Sequence, residues 1–237
     1  MSDRHTVRRA LVLAGAGGVL AAGLIGPGSA SAEAAESCSD VEVVFARGTA
    51  EPVGLGRVGE AFVDSLQSQL PGRTVSSYAV NYPASYDFLQ SAPVGADDAS
   101  AHIQATAAAC PSTSIVIGGY SQGAAAVDLI TADPNATFGF GRPMPAAVAD
   151  HVVAVAVFGN PSNKIGRPLT TMSPLYGVKT IDLCNGADPV CSSGDDRPAH
   201  SQYVQAGFTQ QAAGFVAAKI PAGTPAEVVN NLSAAVG

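Results

Sequence analysis

The sequence is poor in charge. Asp, Glu, Lys and Arg make up 13% of its 237 residues, against 47% hydrophobic residues. Disordered chains show the opposite balance, so most of this one must fold. Basic residues are the scarcer charge, 12 Lys and Arg against 19 Asp and Glu, with a formal net charge of −7. No Lys/Arg cluster exists beyond the N-terminal end. A nucleic-acid partner needs such a patch to displace counterions, so that class is excluded. Cysteine is limited to four residues, with no Cys-x-x-Cys pair and dispersed histidines, which argues against a metal site. The glycines follow no Gly-X-Y period, and there is no internal repeat or linker. A single domain is therefore expected.

The N-terminus reads as a separate segment. Arg4, Arg8 and Arg9 precede an apolar, Ala- and Gly-rich run over 10–26, and Ala30-Ser31-Ala32 follows as a small-residue cleavage site. This layout predicts a secretory signal over 1–32, cut after Ala32, and an exported domain over 33–237. The run is broken by glycines, ends at Pro27 and is shorter than the roughly 20 residues of a membrane-spanning helix. Arg8-Arg9 suits a twin-arginine signal, although Val7 stands where Ser or Thr is usual. Removing 1–32 takes away three Arg and one Asp, leaving nine basic and 18 acidic residues and a charge of −9. All four cysteines remain, an even count that predicts two disulfides in an exported chain. Of the three possible pairings, the close spacing of Cys184 and Cys191 favours Cys184–Cys191, leaving Cys38–Cys110.

Apolar runs then alternate with helical patterns. Strands are expected over 41–46, 74–82, 114–117, 151–158 and 177–183, and helices over 58–70, 97–109, 122–132 and about 198–220. That order predicts an α/β fold, a mostly parallel sheet with helices on both faces. The Gly/Pro-rich stretch 133–145 is long for a connection and reads as an excursion near the working edge of the sheet.

Gly119-Tyr120-Ser121-Gln122-Gly123 matches Gly-x-Ser-x-Gly, with the strand before it and the helix after it that the motif needs. A tight strand-to-helix turn presents the serine hydroxyl clear of the sheet. The helix N-terminus beneath it favours developing negative charge. A serine nucleophile needs a base. His5 leaves with the signal, His102 lies within a predicted helix, and His151 starts a strand at the wrong end. Only His200 follows the last strand, at the edge where such sheets carry their sites. The acid must lie between them: Asp128, Asp133, Asp150, Asp182, Asp188, Asp195 and Asp196 are the candidates. Asp188 sits in the loop that Cys184 and Cys191 would staple, whereas Asp195 and Asp196 lie in a polar, turn-like run. The loop after the first strand, Arg47-Gly48-Thr49-Ala50-Glu51-Pro52, stands where an oxyanion-hole donor comes from. Backbone N–H groups of Thr49 and Gln122 are the expected pair.

Three stretches together resemble the cutinase family of serine esterases, particularly exported actinobacterial members. They are Phe45-Ala46-Arg47-Gly48-Thr49-Ala50-Glu51, Gly118-Gly119-Tyr120-Ser121-Gln122-Gly123-Ala124, and Cys184-Asn185-Gly186-Ala187-Asp188-Pro189-Val190-Cys191. The resemblance implies a three-layer α/β-hydrolase with a five-stranded sheet, no large lid and no cofactor. It further implies Ser121, Asp188 and His200 as triad, Thr49 and Gln122 at the oxyanion hole, and disulfides Cys38–Cys110 and Cys184–Cys191. A monomer acting on small-molecule or lipid esters is expected, with transient contact to lipid surfaces. The segment 192–197 before His200 is polar where fungal members are apolar. That points to soluble short- to medium-chain esters over insoluble cutin, with acyl-lipid and phospholipid esters still open. Two other readings share the fold: an acetylxylan-type polysaccharide deacetylase, and a catalytically silent binding protein.

Overall fold

Five strands form one sheet in the computed structural model, which describes residues 38–137 and 139–222. The expected signal over 1–32 and the tail after residue 222 lie outside the described residues. The strands are β1 (Val41–Ala46), β2 (Val75–Ala79), β3 (Ser114–Tyr120), β4 (Val152–Phe158) and β5 (Thr180–Leu183). Their order is β2-β1-β3-β4-β5, and every pair is parallel. The sheet is thus fully parallel. Its central strands are mostly apolar, β4 along its whole length, because helices cover both faces.

One face packs on α1 (Gly56–Gln69) and α6 (Phe208–Ala217), where Val43, Phe45, Val116, Ala156 and Phe158 meet Val58, Phe62, Ala212 and Val216. The other face, with Val44, Ile115, Ile117, Val155 and Val157, packs on α2 (Phe88–Ala109) and α3 (Gln122–Thr131). Alternate side chains of each strand feed opposite cores, as the strand period requires. Two short helices follow β4, namely α4 (Pro161–Lys164) and α5 (Leu169–Met172).

The strand expected over 177–183 opens with a 3-10 turn and starts at Thr180, and two further differences from the sequence reading bear on the site. Helix α2 starts at Phe88, nine residues earlier than its pattern suggests, and carries Pro93 inside it. Proline costs the Leu89 carbonyl its helical donor. Leu89 is exposed, so water can take that bond. The stretch 198–220 is not one helix: a 3-10 turn over Arg197–Ser201 precedes α6. His200 therefore sits on a tight turn.

Disulfides join Cys38 to Cys110 and Cys184 to Cys191. The first ties the chain before β1 to the end of α2 across 72 residues. Loop closure of that length should stabilise the fold by about 4 kcal/mol in the chain-entropy account. Replacing both cysteines by serine is expected to lower the stability measured by urea unfolding by about that amount. Among the described residues, no helix is long and apolar enough to cross a membrane.

Candidate functional site

The strand order reverses direction between β1 and β3, and open parallel sheets bind ligands outside the strand ends at such a point. Thr49 follows β1 there and Ser121 follows β3. Ser121 has φ 56° and ψ −116°, a backbone conformation that L-residues avoid. Such strain persists only where the surroundings enforce it. A Cβ on Gly123 would lie 1.9 Å from the Ala46 carbonyl oxygen, so α3 can start against β1 only with glycine there. The turn is thereby pressed into the sheet, with the hydroxyl pointing out.

Ser121 Oγ lies 2.9 Å from His200 Nε2, and His200 Nδ1 lies 2.7 Å from Asp188 Oδ2. Asp188 is completely buried, and its carboxylate is well supplied with donors. Tyr203 Oη donates to Oδ2 at 2.7 Å, and the Val190 backbone N–H donates to Oδ1 at 2.8 Å. The Cys184–Cys191 bridge closes the loop that carries Asp188. Gly159, at the end of β4 with φ +60°, leaves room for all three partners. A Cβ there would stand 3.1 Å from His200 Cε1 and from Tyr203 Oη.

Two tyrosines steady His200, and the sequence reading assigns neither of them a role. Tyr120 Oη donates to the His200 carbonyl, and its ring lies against the imidazole with centroids 5.0 Å apart. Burial pushes the Tyr120 phenol up to about 12, so it stays a neutral donor. Burial also raises Tyr203, and its bond to Asp188 raises it further.

Thr49 and Gln122 meet at the same place. Gln122 is buried, and its Nε2 donates to the Ser85 carbonyl at 2.7 Å and to Thr49 Oγ1 at 3.3 Å. Its Oε1 accepts from Ser91 Oγ at 2.8 Å. One side chain thus links the loops after β1 and β2 to α2. Arg47 is buried beneath this loop, where Nε donates to the Glu51 carbonyl at 2.9 Å and Nη2 to the Tyr82 carbonyl at 2.8 Å. Glu51 accepts from the Gly48 N–H at 2.7 Å and from the Arg57 N–H at 3.1 Å. These bonds fix the backbone on either side of Thr49.

Among the described hydrogen bonds, His200 meets no acid candidate but Asp188, although Asp128 also borders the cavity at Ser121. Asp128 and Asp182 share Asn160, whose Nδ2 reaches Asp128 Oδ1 at 3.0 Å and Asp182 Oδ2 at 3.3 Å. Ser162 Oγ also donates to Asp128. Burial, aided by the charge of Asp182, raises Asp128 from 3.8 to about 7. Between those values the folded chain keeps a proton that the unfolded chain has released. Its contribution to stability therefore falls as pH rises from about 4 to 7 and is level above that. In Asp128→Asn the amide still accepts from Asn160 and its NH2 donates to Ser162. Urea midpoints at several pH values should show the variant gaining on the parent across that window. A pH-independent difference would contradict this.

A cavity of about 940 Å³ opens at Ser121. Its lining includes Thr49, Gln122 and His200 together with Tyr86, Phe88, Leu89, Phe140 and Ile165, all five of them exposed. The mouth is thus apolar, although the 192–197 run is polar. The apolar residues come from three separated segments, so no local pattern announces them. Of the other histidines, His102 pairs with Glu42 at 3.0 Å and stacks on Tyr78, away from this cavity.

Comparison with known proteins agrees with this architecture. Phospholipase Culp4 of Mycobacterium tuberculosis is 54% identical over 187 residues, covering 79% of this chain and 81% of that protein. Carboxylesterase Culp1 of Mycobacterium bovis is 54% identical over 200 residues, covering 82% and 88%. A Trichoderma reesei cutinase, solved in complex with a C11Y4 phosphonate inhibitor, superposes with a TM-score of 0.64. It is 34% identical and covers 78% of each chain. The family model described as Cutinase matches residues 37–220, nearly every residue described above. An all-parallel five-stranded sheet, a strained serine turn at its switch point and relatives that are carboxylesterases place this chain in the cutinase family of carboxylic-ester hydrolases.

Proposed function

We propose that the chain is an exported serine esterase in which Ser121 is the nucleophile, His200 the general base and Asp188 the acid that orients it. The observation that carries this reading is the unbroken hydrogen-bond chain from Ser121 Oγ through His200 to buried Asp188, at the mouth of an apolar cavity. His200 Nε2 takes the serine proton as Oγ attacks the ester carbonyl. Negative charge on the carbonyl oxygen is met by the backbone N–H groups of Thr49 and Gln122, the latter at the N-terminus of α3. The alcohol leaves with the proton from His200. Water then enters by the same route and releases the acid. These steps require no metal or organic cofactor.

Apolar residues at the mouth favour esters with an apolar acyl part, up to acyl-lipids and phospholipids, with brief contact to lipid surfaces by a monomer. Mycobacterial relatives named carboxylesterase and phospholipase support the same range. A hydrated polysaccharide ester suits this mouth less well. The domain starts at Glu33 after removal of the signal. The mass of protein recovered from culture medium should match a chain beginning there. The activity test is hydrolysis of p-nitrophenyl butyrate by the folded chain. Turnover is expected, and a folded chain that releases no nitrophenol would instead be a binding protein on this fold.

A further inference from the structure

The cavity is longer than a butyryl group needs. Ser121, Ala125 and Leu129 recur every fourth residue on one face of α3, and all three line it. From Ser121 to Leu129 the helix rises about 12 Å. Beyond Leu129 the lining passes to Ala136, Thr137 and Phe140 in the 133–145 excursion. Phe88, Leu89 and Ala92 of α2 line it too, as do Pro161 and Ile165 after β4.

The excursion is held in place by its neighbours. Its Arg142 N–H donates to the Leu129 carbonyl at 2.6 Å and its Met144 N–H to the Ile130 carbonyl at 3.0 Å. Arg142 pairs with Asp97 of α2 at 2.6 Å, and Arg167 donates to the Ala136 carbonyl at 2.8 Å. Four contacts, to α2, to α3 and to the segment after α4, make it a fixed end wall. Phe140 stands on that wall, 70% exposed.

We infer that this trough is the acyl site and that its length, closed by Ala136, Thr137 and Phe140, selects esters with an acyl chain of about ten carbons. An extended chain advances about 1.2 Å per bond, so roughly ten bonds fill the stretch from Ser121 to Leu129. The acyl direction follows from His200. The leaving alcohol must stay beside the imidazole that protonates it, on the side of the cavity lined by Val190 and His200. The acyl chain is left with the α3 face. Phe140 and Ala136 at the far end, with Ile165 beside them, are then specificity-determining residues. This inference rests on Ser121 being the nucleophile.

The test is a p-nitrophenyl ester series from acetate to palmitate, with a parallel series of acetate esters of lengthening alcohols. Each buried methylene is worth up to about fourfold in binding. Decanoate should exceed butyrate in kcat/KM by at least about tenfold, with no matching gain on the alcohol side. Ala136→Trp, which fills the far end, and Phe140→Ala, at an exposed position that cannot threaten folding, should both shrink the decanoate-to-butyrate ratio severalfold. An optimum at butyrate or shorter, a gain confined to the alcohol series, or a ratio unmoved in the folded variants would overturn it. Turnover of butyrate without any length gain defeats this inference alone. No turnover of any ester defeats the esterase reading and this with it.

Discussion

Ser121→Ala is expected to lower kcat for p-nitrophenyl butyrate by about 10⁶-fold, the scale seen when a triad serine is removed. Oγ is the only heavy atom lost. Alanine keeps the Cβ that already tolerates the φ of 56°, so the turn gains no new clash. The bond from Oγ to His200 disappears, but the imidazole remains held by Asp188 below and by the Tyr120 ring beside it. The urea midpoint should therefore stay within about 0.5 kcal/mol of the parent in stability. Loss of turnover with retained folding separates a nucleophile from a residue that only shapes the turn.

Asp188→Asn should cost about 10⁴-fold in kcat near neutral pH. Asp188 Oδ2 accepts two bonds, from His200 Nδ1 and from Tyr203 Oη. Asparagine keeps the acceptor for the Val190 N–H but turns an NH2 toward those two groups. Tyr203 can rotate its hydroxyl to accept. His200 can answer only by moving its proton to Nε2, and that nitrogen then faces Ser121 as a donor. It can no longer take the serine proton. Since the change is in tautomer and not in packing, KM should move little. A KM effect without a kcat effect would place Asp188 outside the catalytic chain.

Much of this arrangement is legible in the sequence because it is local. The period of apolar residues marks strands and helices, and Gly119 to Gly123 carries the strand-turn-helix context within a few residues. Chain order narrows the histidines and aspartates, and the spacing of Cys184 and Cys191 marks the loop between them. What is not legible is contact between distant segments. Tyr120 and Tyr203 carry no assigned role until their hydroxyls are seen on the His200 carbonyl and on Asp188. Pro93 hides the first turns of α2, and with them Phe88 and Leu89 at the cavity mouth. The polar 192–197 run suggests a polar border, yet Tyr86, Phe140 and Ile165 reach the mouth from elsewhere. Asp128 and Asp182 read alike as possible triad acids. Only their shared contact with Asn160 assigns them to a buried network.

The most direct measurement of the central claim is mass spectrometry of the folded protein after reaction with a fluorophosphonate. A serine made nucleophilic by His200 gives up its proton to the imidazole, attacks phosphorus as it would an ester carbonyl, expels fluoride and stays bound. One adduct per chain is expected, on the peptide that contains Ser121, and none in Ser121→Ala. A folded, ester-hydrolysing chain that carries its adduct on another residue, or that still labels in Ser121→Ala, would contradict the account.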